Sequence, residues 1–178
     1  MNIILDLETL GTSSNSIIVQ IGAVALDSTH KQVSTFSRSI SAKSISETRN
    51  NKNLAVDVPT QLWWSTQPNV AKVFSGADDY EYSLIKFCEW FRDLGDPDAK
   101  VWGRGPDFDN VILANSLLAF NILVPWKYQK SRCLRTLLDD ADLNTELFKR
   151  YKTEEEHTAL GDARYEARLF KAAKELLK

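Results

Sequence analysis

Residues 16–26, SIIVQIGAVAL, are almost wholly apolar and rich in β-branched side chains. Such a run reads as a strand that lies centrally in a sheet. Before it, Ile3-Ile4-Leu5 followed by Asp6-Leu7-Glu8 reads as another strand, with GTSSN at 11–15 as turn chemistry between them. Residues 32–40 give a third strand after a short turn at 27–30, so the chain opens as an antiparallel meander. Residues 41–60 are polar, rich in Ser, Asn and Lys, and read as a mobile excursion. The stretch QLWWSTQPNVAKVF then gives short helical pieces broken at Pro68.

Leu84, Phe87, Cys88, Phe91 and Leu94 fall on one face of a helix over 79–94, with Gly95 as its C-terminal stop. Val101 and Trp102 predict a short strand. Pro106 and Asp107 open a helix running to Ala119, with Asp107 expected as its N-cap. Residues 131–138 and 146–151 also read as helical. From 161 to 178 an amphipathic helix is expected, in which Arg164, Arg168, Lys171, Lys174 and Lys178 outnumber Glu166 and Glu175. Strands first, then strand and helices in alternation, predict an α/β fold: a mixed sheet whose first three strands are antiparallel, flanked by helices.

At 178 residues the chain fits one compact domain, residues 1–178. No apolar run reaches the roughly 18 residues of a spanning helix. The start, MNIILDLETLG, has no basic n-region and carries carboxylates where a signal peptide would be apolar. A cytoplasmic protein that meets no membrane is expected. Cys88 and Cys133 form no CxxC and there are only 2 histidines, so any metal would have to be held by oxygen. A net charge of -2 argues against a nucleic-acid binder working by bulk charge. It leaves open an enzyme that meets phosphates through cations at one cleft.

Asp6 and Glu8, two apart on a strand, leave the same face with Cα atoms roughly 6.6 Å apart. With 24 acids in 178 residues, chance alone supplies roughly three such pairs. The preceding Ile-Ile-Leu run adds weight, because carboxylates ending a buried strand need a cation, either a metal or an Arg or Lys. Asp109 is a second candidate; its alternative role is to favour the dipole of the helix it opens. His157 and Asp162 flank the start of the terminal helix and can face one point in space, or serve only as loop residue and helix-dipole partner. Four acids on three elements plus a histidine match a two-metal phosphodiesterase, in which carboxylates hold two Mg²⁺ or Mn²⁺ ions and the histidine deprotonates water.

The ordered set DLET at 6–9, Phe108-Asp109, and HTALGD at 157–162 resembles the three motifs of the DnaQ-like DEDDh 3′–5′ exonucleases and spans nearly the whole chain. Thr158 stands where the tyrosine subtype has Tyr, which favours the histidine subtype. The segment VDVPTQLWWSTQ, around Trp63 and Trp64, resembles the branch containing ribonuclease AS and phage exonuclease A. The resemblance implies an RNase H-like sheet, with Asp6, Glu8, Asp109 and Asp162 as ligands of two Mg²⁺ or Mn²⁺ and His157 as general base. It further implies that the backbone of Thr9 and Leu10 lies against the 3′-terminal nucleotide of single-stranded RNA or DNA. It allows a homodimer. Gly105 departs from the Asn that many relatives carry four residues before the second-motif Asp.

Trp63 and Trp64 are candidates for stacking on a base, and one of the two is expected in the core, since neighbours on a helix point about 100° apart. Arg104, Arg132 and Arg135 are candidates for phosphate contact. The expected activity is a metal-dependent 3′–5′ exonuclease releasing nucleoside 5′-monophosphates. Alternatives are an RNase H-like endonuclease, which the interval from His157 to Asp162 argues against, and a catalytically idle strand-binding module, which the complete acid set and the negative charge argue against.

Overall fold

The computed structural model describes residues 1–151 and 157–178, with side chains throughout except at 150 and 151. Five strands, β1 (Asn2–Thr9), β2 (Ile18–Leu26), β3 (Gln32–Ser39), β4 (Lys100–Gly103) and β5 (Ser131–Cys133), form a sheet of order β3-β2-β1-β4-β5. β2 pairs antiparallel with β1 and with β3, as the meander predicts. β4 runs parallel to β1, and β5 parallel to β4. Every residue of β2 is buried, as a strand covered on both faces requires. The helices are α1 (Ala42–Lys52), α2 (Val58–Ser65), α3 (Val70–Val73), α4 (Tyr80–Asp93), α5 (Asp109–Ala119), α6 (Leu134–Asp140) and α7 (Ala159–Leu176). No described helix is long and apolar enough to cross a membrane.

The two-residue period of β1 separates the two cores. Ile3, Leu5 and Leu7 pack with Ile21, Ala23, Phe87 and Leu113 on the side of α4 and α5. Ile4 packs with Val24, Trp102, Leu169 and Phe170 on the side of α6 and α7. Asp6 and Glu8 continue the row begun by Ile4, so the strand that anchors the core delivers its two acids toward α7.

Two expectations are corrected. Residues 41–60 hold a helix, α1. Its N-cap Ser41 accepts the Ser44 amide, its C-cap Asn53 turns left-handed at φ 53°, and Ile45 is buried beneath it. The Ser44 hydroxyl donates to Asp79 Oδ2 and accepts the Tyr80 amide, each at 2.9 Å, which latches α1 to the start of α4. Residues 131–133, expected as helix, are the edge strand β5, and α6 begins only at Leu134, where Cys133 Sγ accepts the Thr136 amide. The 146–151 segment is a 3₁₀ helix, Thr145–Tyr151.

α7 lies directly on the sheet because of one glycine. Gly22 is paired with Asp6 across β1 and β2, and a Cβ there would stand 2.1 Å from the Ala159 carbonyl carbon. The buried Gln20, paired with Glu8, fixes the same point: its Oε1 accepts the Ala159 amide at 3.2 Å, while its Nε2 donates to Ser39 Oγ and the Val73 carbonyl. Backbone cannot yield as a flexible side chain does. Gly22→Ala is therefore expected to destabilise the chain by about 1–3 kcal/mol, measured by urea unfolding, and to weaken Mn²⁺ uptake by displacing the start of α7 from Asp6.

Candidate active site

Asp6, Glu8 and Asp162 each offer a carboxylate oxygen, and the three lie within 4.8 Å of one another. Residues 154 positions apart in sequence meet because β1 ends where α7 begins. A set of three hard oxygen donors at this spacing fits a Mg²⁺- or Mn²⁺-sized cation. Asp109 joins from α5. It does not form the N-terminal cap, and neither does Asp107, which is exposed; Phe108 occupies the cap position. Instead Asp109 Oδ1 accepts the Leu7 amide at 3.1 Å and Oδ2 the Arg104 amide at 3.0 Å. Those bonds lock the second-motif acid between β1 and the end of β4. Gly103 makes room for it, since a Cβ there would lie 2.9 Å from Asp109 Oδ2.

His157 has a left-handed backbone, φ 59°, and its amide donates to Asp162 Oδ2 at 2.9 Å. Its ring stands edge-on to Trp63, with centroids 5.1 Å apart and planes at 88°. Asp6, Asp109, Asp162, His157 and Arg104 line one cavity of about 230 Å³. A second cavity of about 380 Å³ lies beside it, lined by Glu8, Thr9, Thr12, Trp63, Trp64 and Phe108 among others. Glu8 thus faces the second cavity while its carboxylate belongs to the acid cluster, and Phe108 lines both.

The tryptophan pair divides as expected. Trp64 is buried and donates its indole N–H to the Thr9 carbonyl at 2.8 Å, whereas Trp63 is 43% exposed. Leu10 lies outside both cavity linings; its amide and carbonyl are taken by the Ile17 carbonyl and the Asp57 amide. Arg132 and Arg135 are also outside them, the first donating to the Gln129 and Ser131 carbonyls and the second to the Arg104 carbonyl.

One acid was missed by the sequence reading. Glu166, counted there only against the basic residues of the terminal helix, is 2% exposed and lines the acid cavity. The available signal was its place one helical turn beyond Asp162, which puts both on one face.

Gathering these groups distorts their acidity. Asp6 keeps some surface toward the cavity yet lies deep in the fold. Desolvation first, then the charges of Asp109, Glu166, Glu8 and Asp162, drive its carboxyl well above the usual range. Burial, with Asp162 and Asp109, pushes Glu8 up to about 8. Asp109 rises to about 6 by burial, held back by the Arg104 and Leu7 amides it accepts.

Solved structures place this architecture among known nucleases. The chain is similar to the nuclease domain of 3′hExo, a DEDDh family member bound to rAMP, at 15% identity and TM-score 0.63 over 99% of this chain and 91% of that one. It is also similar to E. coli exonuclease I in complex with a 5cy-dT13 oligonucleotide, at 16% identity and TM-score 0.67 over 98% of this chain. Exonuclease I from Methylocaldum szegediense gives 13% identity and TM-score 0.65. The chain spans 40% of the length of these exonuclease I molecules. No curated protein matches it. The fold is therefore the RNase H-like fold of the DnaQ-like DEDDh exonucleases. The chain belongs to the Rv2179c-like 3′–5′ exoribonuclease domain family, which it matches over residues 1–174. It is a 3′–5′ exonuclease, a phosphodiester hydrolase.

A carboxyl whose proton is held more tightly folded than unfolded favours folding at low pH, and that contribution is lost as pH rises through the folded value. For Glu8 the window runs from 4.5 to about 8. The metal-free chain is expected to melt several degrees lower at pH 8 than at pH 6.5, with Mn²⁺ restoring more at pH 8. Asp6→Asn should flatten that slope. Scanning calorimetry checks it, and a melting temperature that climbs with pH in the metal-free chain contradicts the electrostatic account.

Proposed function

We propose that residues 1–178 act as one exonuclease domain that removes nucleoside 5′-monophosphates from the 3′ end of single-stranded nucleic acid, with RNA as the substrate. The carrying observation is the convergence of Asp6, Glu8 and Asp162 within 4.8 Å, with Asp109 lining the same cavity as Asp6 and Asp162. On this reading Asp6, Glu8, Asp109 and Asp162 hold two divalent cations, Mg²⁺ or Mn²⁺. Such cations, once bound, would supply Lewis acidity toward the scissile phosphate and make water a better nucleophile.

The protein's own groups supply the rest. His157 takes the proton of the attacking water, because an imidazole accepts and releases protons near neutral pH. Its backbone amide already donates to Asp162, so base and ligand hold a fixed relation. The terminal base enters the cavity between Trp63 and Phe108, whose lining is mostly apolar and whose volume of about 380 Å³ suits a nucleoside. Thr9 lines that cavity directly after the two β1 acids. Arg104, at the edge of the acid cavity, meets a phosphate oxygen. RNA is favoured by the family's description as exoribonuclease.

The test is digestion of 5′-labelled oligonucleotides of matched RNA and DNA sequence with Mg²⁺ or Mn²⁺. Stepwise shortening from a free 3′ end, none from a 3′-blocked end or a circular strand, and faster loss of RNA are expected. Cutting of circles would establish the endonuclease instead, and binding without cleavage the idle module. His157→Ala is expected to slow turnover by roughly 10² to 10⁴-fold while Mn²⁺ uptake, read by calorimetry, stays within about twofold. Trp63→Ala should act mainly through KM, consistent with about 1–3 kcal/mol of lost stacking.

A further inference from the structure

Asp6, Glu8 and Asp162 lie close enough to hold one cation between them. What serves a second is less obvious. Asp109 lines the same cavity as Asp6 and Asp162, but each of its oxygens already accepts a backbone amide, leaving one lone pair apiece. Glu166 has the opposite character. It is 2% exposed, lines the same cavity as Asp6 and Asp109, and among the described residues nothing hydrogen-bonds its Oε2. Its Oε1 lies 3.8 Å from Arg104 Nη1, too far for a good hydrogen bond. A buried carboxylate oxygen without a partner costs several kcal/mol unless a cation offsets it. Arg104 is 37% exposed and can swing outward.

Charge balance points the same way. Once ionised, five carboxylates, Asp6, Glu8, Asp109, Asp162 and Glu166, outnumber the guanidiniums that act on Glu166, those of Arg104 and Arg135. The excess negative charge favours the entry of divalent cations ahead of an incoming phosphate.

We propose that Glu166 is a fifth carboxylate of the metal centre, serving the second divalent cation beside Asp6 and Asp109, and that Arg104 takes up its charge when that cation is absent. The inference rests on the two-metal reading and deepens it. Glu166 lies on the face of α7 that carries Asp162 one turn earlier, so both acids approach the cavity from one rigid element.

The test counts Mn²⁺ bound to the full chain, by electron paramagnetic resonance of the free ion, with AMP present as a product of the proposed reaction. The wild type should bind two ions. Glu166→Gln, which keeps the side chain's shape, should keep the first ion and bind the second at least about tenfold more weakly. Arg104→Met should bind both at least as tightly as the wild type, because it removes a competitor. Asp6→Asn should lose both ions. Undiminished binding by Glu166→Gln overturns the proposal, and is also the result if Glu166 works as a neutral, protonated acid. Loss of the second ion in Arg104→Met overturns it too, since Glu166 would then serve only to place the arginine.

Thermal unfolding of the metal-free Glu166→Gln chain should be unchanged or raised. A fall of more than about 8 °C would make Glu166 a structural residue and sink the idea. If Asp6→Asn loses Mn²⁺ while Glu166→Gln does not, this proposal fails and the two-metal reading stands; a wild type that takes up no Mn²⁺ overturns both.

Discussion

The fold holds mutually repelling carboxylates together in a place where burial weakens the screening by water. Asp6, Glu8, Asp109 and Glu166 are all pushed toward the protonated form by burial, and three of the four are pushed further by each other's charge or that of Asp162. Left to themselves these groups would separate. What prevents it is that each is fixed to an element whose position is set elsewhere. Ile3, Ile4 and Leu5, all fully buried, commit β1 to the middle of the sheet whatever its last residues carry. Leu169, Phe170 and Ala173, also fully buried, hold α7 from its far half. The apolar interior thereby supplies the free energy that the acid cleft lacks.

That division of labour governs what could be read from the sequence. The central strand, the meander, the α4 helix and the terminal helix were legible because periodic burial leaves a periodic pattern. The acid pair on β1 was legible because a strand's alternation fixes both side chains on one face. α1 was not, because it buries only Ser44, Ile45 and Thr48 and is held by polar latches rather than by an apolar stripe. β5, with three residues, is too short to display any period. The convergence of Asp6 with Asp162 depends on Gly22 and Gln20, whose roles are long-range fits to the α7 backbone and have no local signature.

Asp109 and Glu166 illustrate two different failures of local reasoning. An acid at the start of a helix has a ready explanation in the helix dipole, and that explanation stops short of Asp109 because its carboxylate turns back to the Leu7 and Arg104 amides. Glu166 was averaged into the charge of a basic amphipathic helix, although Arg164 and Arg168 on either side are exposed and it is not. Helical periodicity assigns faces correctly. It cannot say that a polar residue on the inward face is wanted there, since that depends on what the opposite wall of the cleft presents.

The tryptophan pair shows how one short helix ties the two cavities into a single device. Trp64 is bolted to the Thr9 carbonyl, directly beyond Glu8, and packs edge-on against Phe74. Asp57, which caps the start of α2 by accepting the Thr60 amide, also accepts the Thr12 amide and donates its own amide to the Leu10 carbonyl. α2 is therefore pinned at both ends to the segment that follows the β1 acids. Trp63, one residue along, is carried by that frame to a fixed place 5.1 Å from the His157 ring. An exposed aromatic surface, a histidine and a carboxylate cluster are thus held in one geometry by the hydrogen bonds of Trp64 and Asp57. A change in α2 that leaves every acid in place would still shift Trp63 relative to them, because the helix and the acid cluster are tied to the same few residues of backbone from Glu8 to Thr12.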